Sequence, residues 1–304
     1  MPRVIVLGEA LVDLFAEPGR GLGPGTTFST RFGGAPANVA VHAARLGAEV
    51  GFIGKVGRDG FGAALAAFMG ELGVDLSCLR TDPAAPTMLA LVGRPAPDHP
   101  EFVLYQGANA VLAAGDIDPG YFAGCRTMVF GSVTLAYPSG EAALHAARLA
   151  RDRGAEVVFD VNVRPTIWAD AEAARERIGE ALRLATVVKL SEAEGRFLFG
   201  AIGDEEVSRR IVGMGARLCC VTRGAAGTHL RCGSWSGFVP SVAVDTVDAT
   251  GAGDAFVAAL ATEMAALGRP VGSLDREVLC GIVAFANACG AFVATRLGAM
   301  EAPL

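Results

Sequence analysis

An open α/β sheet with a small β appendage is the fold this sequence predicts, and three observations predict it. Short apolar strands alternate with amphipathic helices over most of the 304 residues. Two stretches, about 9–32 and 86–108, break that alternation with strand or glycine-rich patterns and no helix. Hydrophobic residues make up 52% and charged residues 19%, which is ample for a large core and too apolar for a disordered chain. One domain spanning 1–304 is therefore expected, with the appendage formed by 9–32 and 86–108.

The elements follow in order. Residues 3–8 read as a strand ended by Gly8. Val39, Ala40, Ala43, Ala44 and Leu46 recur at helical spacing over 35–46, and Gly47 stops them. A strand over 49–56 precedes Asp59, which caps a helix bearing Phe61, Leu65, Phe68 and Leu72 at i, i+4, i+7 and i+11, with Gly73 as its terminator. Strands at 88–92 and 102–105 form a hairpin around 93–100. The alternation then resumes: strand 127–133, helix 139–153, strand 155–161, helix 170–184 and strand 186–190. Helices follow at 192–199 and 204–214, strands at 217–222, 228–232 and 238–244, and long helices at 253–267 and 274–293.

Several function classes are excluded or disfavoured. A net charge of −6 argues against a nucleic-acid binder, which would need basic groups to neutralise phosphates. No run of about 18 uncharged apolar residues predicts a membrane span. The apolar stretch 4–15 is interrupted by Glu9 and Asp13 and reads as a strand rather than a signal peptide. Seven scattered cysteines without a CxxC pair suit the reduced thiols of a cytoplasmic protein. The four histidines form no HExxH pair, and neither GxxxxGK[ST] nor GxGxxG is present. Lysine occurs only at Lys55 and Lys189, so a step that needs one has two candidates.

In such sheets ligands bind at the carboxyl ends of strands, and three motifs fall there. Asp248-Ala249-Thr250-Gly251-Ala252-Gly253-Asp254 runs from a strand into a helix. Small residues before a helix leave backbone N–H groups open to an anion. A carboxylate such as Asp254 beside that anion fits a base that deprotonates an attacking hydroxyl, and equally a helix cap after a tight turn. Gly33-Gly34-Ala35-Pro36-Ala37-Asn38 lets a ligand approach the backbone, and Asn38 offers a donor and an acceptor to a sugar hydroxyl; an ordinary glycine loop has the same pattern. Strand alternation puts Asp160, Asn162 and Arg164 on one face, as an anion-binding group or as a buried salt-bridge network. Asp13 and Tyr105 are candidates to hold or cover a sugar.

The first of these motifs, the glycine loop continued by Ala44-Arg45-Leu46-Gly47, and the run 54–62 together resemble the signatures of the ribokinase-like (PfkB) carbohydrate kinases, in the family's order and over essentially the whole chain. The resemblance implies a three-layer α/β/α domain with a β-sheet lid, and ATP-dependent phosphorylation of a sugar hydroxyl. It implies Asp254 as base, with the amides of Gly251, Ala252 and Gly253 as anion hole. Asp13, Gly33, Gly34, Asn38, Tyr105 and Arg164 would hold the sugar. Lys189, Ser191, Thr222, Gly224, Gly227 and Asn287 would line the ATP site. Glu194 would organise Mg²⁺ through water, although Ser191 stands where the family has asparagine, and Asp248 and Thr250 match positions near a monovalent-cation (K⁺) site.

Within the family the chain resembles the fructokinases most, through Gly-Gly-Ala-Pro-Ala-Asn and 160–168. A 2-keto-3-deoxygluconate kinase, whose lid typically carries an arginine where Gln106 stands here, is the nearest rival. An aminoimidazole riboside or nucleoside kinase, and a sugar-binding regulator without catalysis, are the other readings. Edge strands in 86–108 make a homodimer through the lid an expectation.

Overall fold

The computed structural model describes residues 1–93, 95 and 101–300. The first half contains β1 (Val4–Leu7), β2 (Leu11–Ala16), β3 (Phe28–Gly33), α1 (Ala35–Arg45), β4 (Val50–Gly57), α2 (Gly60–Glu71), β5 (Leu79–Asp82), β6 (Met88–Gly93) and β7 (Glu101–Tyr105). The second half contains β8 (Thr127–Gly131), α3 (Ser132–Leu135), α4 (Gly140–Asp152), β9 (Glu156–Asp160), α5 (Ala171–Leu184), β10 (Val187–Ser191), α6 (Glu192–Phe199) and α7 (Asp204–Gly213). It ends with β11 (Leu218–Thr222), β12 (Gly227–Cys232), β13 (Trp235–Pro240), α8 (Ala252–Leu267) and α9 (Arg276–Ala294).

Nine strands make one twisted sheet in the order β13-β12-β11-β10-β9-β8-β1-β4-β5. The strands from β11 to β5 are parallel, and β12 and β13 close one side antiparallel. The period of two in β1 decides the layers. Val4 and Val6 face a core shared with α1, α2, α8 and α9, while Ile5 and Leu7 face one shared with α4, α5 and α7. Both faces are covered, which is why these strands are nearly continuous apolar runs.

Three elements differ from the sequence expectation. The strand expected over 127–133 stops at Gly131, because α3 begins at Ser132. The last strand lies at 235–240 rather than 238–244: Trp235 pairs with Cys232 in a tight hairpin, and the apolar Val242 and Val244 lie outside the sheet. β5 was not expected, since Leu79-Arg80-Thr81-Asp82 is too short and polar to signal a strand, yet it pairs with β4. Within the turn expected over 93–100, residues 94 and 96–100 lie outside the described residues.

α9 has a mean hydropathy of 1.8 over an 18-residue window, enough by length and composition to cross a membrane. Asn287 interrupts its apolar run, and the helix packs against α8, β12 and β13 with Leu279, Val283, Ala286 and Val293 buried.

The second sheet has the order β3-β2-β6-β7. Its hairpins are local, but the parallel β2–β6 pairing joins segments far apart in sequence. Asp59 fixes where β6 begins. One carboxylate oxygen caps α2 through the Gly62 N–H (2.9 Å) and accepts the Thr87 hydroxyl (2.8 Å), and the other accepts the Thr87 N–H (2.7 Å). The Gly57 N–H donates in turn to the Thr87 hydroxyl at 3.0 Å. Asp59→Ala therefore loses a helix cap and leaves Thr87 unsatisfied, and should lower unfolding stability in urea by about 1–3 kcal/mol. A loss below about 0.5 kcal/mol, the level of an ordinary surface change, would contradict this role.

Candidate active site

The carboxyl edge of the large sheet brings together Glu9 after β1, Asp160 at the end of β9, Lys189 in β10 and the first turn of α8. α8 starts from Gly251, whose φ of 81° is left-handed, and Ala299 packs where a Cβ would stand, 2.6 Å from its own Cβ. Only glycine fits there. The Ala252 N–H donates to the Ala249 carbonyl at 3.2 Å, which tightens the turn and withdraws one of the three amides expected to face an anion.

Asp254 sits in the first turn of α8 and is buried. Asn38, from α1, donates its Nδ2 to Asp254 Oδ2 at 2.7 Å, so the two sequence motifs meet in one hydrogen bond. Asn38 Oδ1 is buried without a partner in the protein, an acceptor that suits a ligand hydroxyl. Burial raises the Asp254 pKa, while the Asn38 bond and the charges of Lys189 and Arg164 pull it down. Lys189 is buried and its Nζ lies 3.0 Å from Asp160 Oδ1. The ammonium also sits directly under the turn, 3.0 Å from where a Gly253 Cβ would project. Lys189 thus lies among carboxylates rather than in an open nucleotide cleft.

On the side of the second sheet, β2 pairs with β3 so that Leu11 faces Gly33. Asp13 Oδ2 occupies the space a Cβ on Gly33 would need, which explains glycine at that position. Burial alone pushes the Asp13 carboxyl up to about 7. Tyr105, at the end of β7, is 57% exposed. Gln106 is held by the Tyr137 hydroxyl (2.6 Å) and Asn109 (3.1 Å). The expectation of one polar strand face fails beyond Asp160. β9 ends there and Asn162 turns left-handed at φ 32°, so Asp160, Asn162 and Arg164 do not alternate. Arg164 is exposed and donates to its own neighbour's carbonyl, yet its charge acts on both Glu9 and Asp254.

On the other side of Asp254 an open cleft of about 170 Å³ is lined by Thr222, Gly224, Gly227, Phe256, Asn287 and Gly290, among others. Small residues and one aromatic ring give it a largely apolar wall that opens to solvent. Asn287 lines this cleft but spends its amide on the chain: it accepts from Thr228 Oγ1 (2.7 Å) and donates to the Val239 carbonyl (3.1 Å). Ser191 and Glu194 form a reciprocal capping box at the start of α6, and the other oxygen of Glu194 accepts the Val163 N–H at 3.0 Å. Asp248 accepts from the Thr250 N–H, the Thr250 hydroxyl and the Gly298 N–H. Burial works against its charge, but the Thr250 and Gly298 bonds hold its carboxyl below the ordinary range. Among the described residues no cluster of three His, Cys, Asp or Glu could cage a metal, so a divalent ion would take most of its ligands from phosphate and water.

Sequence reasoning missed the Asn38–Asp254 bond, the Lys189–Asp160 pair and Glu9. Glu9 was the most legible of these, as a carboxylate immediately after a strand ending in Gly8, where ligands gather.

A buried carboxylate at a helix N-terminus, between a glycine-lined polar pocket and an open cleft, suits a phosphotransferase acting on a small hydroxyl compound. The comparisons fix its kind. The profile of the pfkB family carbohydrate kinases matches residues 1–304, and the chain belongs to that family. It is 36% identical over 302 residues to fructokinase-1 of Oryza sativa subsp. japonica, covering 98% of this chain and 93% of that protein. The crystal structure of a fructokinase with bound ATP from Xylella fastidiosa superposes with a TM-score of 0.91 at 32% identity, over 99% of this chain and 95% of that one. An aminoimidazole riboside kinase from Salmonella enterica, complexed with aminoimidazole riboside and an ATP analogue, gives 0.85 at 32% identity, over 99% and 96%. The chain is thus an ATP-dependent sugar kinase with the ribokinase-like fold.

The Asp13 environment has a measurable consequence. A carboxyl raised in the folded state binds its proton more tightly there, so folding loses stability as pH rises from the unfolded value through about 7. Asp13→Asn should therefore raise the thermal midpoint relative to the parent at about pH 8 and lose that advantage near pH 4. An advantage equal at both pH values would show that Asp13 is not desolvated.

Proposed function

We propose that this chain transfers the γ-phosphoryl group of ATP to a hydroxyl of fructose, with Asp254 as general base. The observation that carries the reading is the placement of Asp254: buried, oriented by Asn38, and standing between the Asp13–Gly33 pocket and the Thr222–Asn287 cleft. Asp13, the backbone of Gly33 and Gly34, and Asn38 Oδ1 bind the sugar, with Tyr105 and Arg164 at its margin. Asp254 takes the hydroxyl proton as the oxygen attacks the γ-phosphorus in line, and the amides of Gly251 and Gly253 receive the developing charge. Ala252 contributes through the turn its N–H tightens.

Thr222, Gly224 and Gly227 line the nucleotide, with Ser191 nearby, and Asn287 braces that wall. Mg²⁺ would neutralise the phosphate charge, held by phosphate oxygens and by Glu194 through water. The ionised, hydrogen-bonded carboxylate of Asp248, with Thr250, would suit a monovalent cation such as K⁺. The lid, 9–32 and 86–108 of a single 1–304 domain, closes over the sugar and excludes water, which would otherwise accept the phosphoryl group. β7 is an edge strand with Phe102, Val103 and Tyr105 exposed, which supports pairing with a second copy. Seven free cysteines, five of them buried, support a cytoplasmic setting.

ADP release with Mg-ATP tests the reading against fructose, 2-keto-3-deoxygluconate, ribose and aminoimidazole riboside, with and without potassium. Fructose should turn over preferentially. The neutral Gln106–Tyr137–Asn109 cluster offers no charge for a sugar acid. Preference for aminoimidazole riboside would instead favour the second reading, which the Salmonella likeness supports. Asp254→Asn should lower kcat by at least ~10²-fold, the low end for removing a general base. Full turnover by a folded Asp254→Asn enzyme would refute the mechanism.

A further inference from the structure

A short closed loop after β11 bounds one side of the nucleotide cleft. The Arg223 N–H donates to the Gly227 carbonyl at 2.8 Å, and the Ala226 N–H donates to the Arg223 carbonyl at 3.1 Å. Gly224 and Gly227 both take positive φ, 53° and 124°. A Cβ on Gly227 would lie 2.2 Å from the Val239 carbonyl oxygen, so β13 packs directly on the end of the loop. On the same side the Ser241 N–H reaches the Ala226 carbonyl at 3.3 Å. Thr222, Gly224, Ala225 and Gly227 line the cleft, and Arg223 in their midst does not.

Arg223 turns the other way. Its Nε donates to Asp204 Oδ2 in the first turn of α7. The Asp204 side chain is 5% exposed and that of Arg223 43%. A carboxylate so buried needs a countercharge, which Arg223 and the α7 N-terminus supply together. The neighbouring acids are engaged elsewhere. Glu205 pairs with Arg231 and lies 3.5 Å from the His229 ring, while Glu206 pairs with Arg209 and Arg210. α7 itself packs on β11 and β12, so the anchor belongs to the layer that backs the sheet. We propose that Asp204 is a positioning residue for the nucleotide: through Arg223 it holds the 223–227 loop, from outside the cleft, in the shape that receives ATP. An arginine beside a phosphate site can also grip phosphate itself. The geometry favours the first role, because the guanidinium is committed to a buried carboxylate away from the cleft lining.

This inference rests on the reading of the cleft as the ATP site. Calorimetry gives the Kd of wild type, Asp204→Asn, Arg223→Met and the double variant for a non-hydrolysable Mg-ATP analogue. KM for ATP and for fructose is measured alongside. Each single variant should weaken the analogue about fivefold, the scale of an ion pair with one exposed partner. The double variant should be no weaker than the singles, since all three remove one interaction. KM for ATP should rise with Kd, while KM for fructose stays within about twofold. Unchanged or tighter binding by Asp204→Asn, which frees Arg223, overturns the proposal in favour of a direct phosphate contact. Equal rises in both KM values, or additive losses in the double variant, also overturn it. If Asp204→Asn does not fold, Arg223→Met decides: it should weaken AMP as much as the ATP analogue, and weakening of the analogue alone overturns the proposal. A wild type that binds the analogue and phosphorylates no sugar overturns the kinase reading, while the Kd values still decide the role of Asp204. A wild type that does not bind the analogue overturns both.

Discussion

One buried ammonium allows the acids of this site to coexist. Asp160, Glu194 and Asp254 all act on Lys189, and Asp160 touches it at 3.0 Å. Burial alone would drive the Lys189 proton off, but the carboxylates more than offset it, so its pKa lies above the ordinary lysine value. Burial likewise raises Asp160, with Lys189 pulling the other way. Without that charge, three carboxylates near one helix terminus would repel one another and the incoming phosphates alike. With it, Asp254 has a countercharge close by that favours its ionised form. The Lys189–Asp160 pair is in that sense a condition for an ionised Asp254.

Much of the fold was legible because its signals are periodic. The alternating faces of β1, the glycine stops and the Asp59 cap are local features that a sequence displays directly. The boundaries that shifted did so for tertiary reasons. β5 exists because the edge of β4 offers it a partner, and the last strand is set by the Trp235–Cys232 hairpin rather than by the apolar Val242 and Val244. The site was legible as motifs but not as contacts. Asn38 and Asp254 are 216 positions apart, and nothing in either motif says that one holds the other. The strand alternation that would align Asp160 with Asn162 and Arg164 was broken by a single left-handed residue, which no period anticipates.

The second sheet is assembled from two separated stretches that meet through the parallel β2–β6 pairing and through the Leu22 N–H on the Glu101 carboxylate. Of the segments that join it to the rest of the chain, the two that enter it from β1 and β5 are unlike. The link through Glu9 is buried among charged groups, and the link at Thr87 is clasped by Asp59. The first of these links also lies against Gly34, and the second ties the start of β6 to the cap of α2.

The close packing of Ala299 on Gly251, with the Gly298 N–H bonded to Asp248, makes residues 298–299 part of the wall around the turn that opens α8. The amino terminus enters β1 at the opposite edge of the sheet, where Met1 is exposed. Residue 1 and residues 298–299 are consequently unequal as points of attachment. A fluorophore on Met1 hangs from the back of the molecule, whereas any change of bulk at Gly298 or Ala299 presses directly on the turn that opens α8.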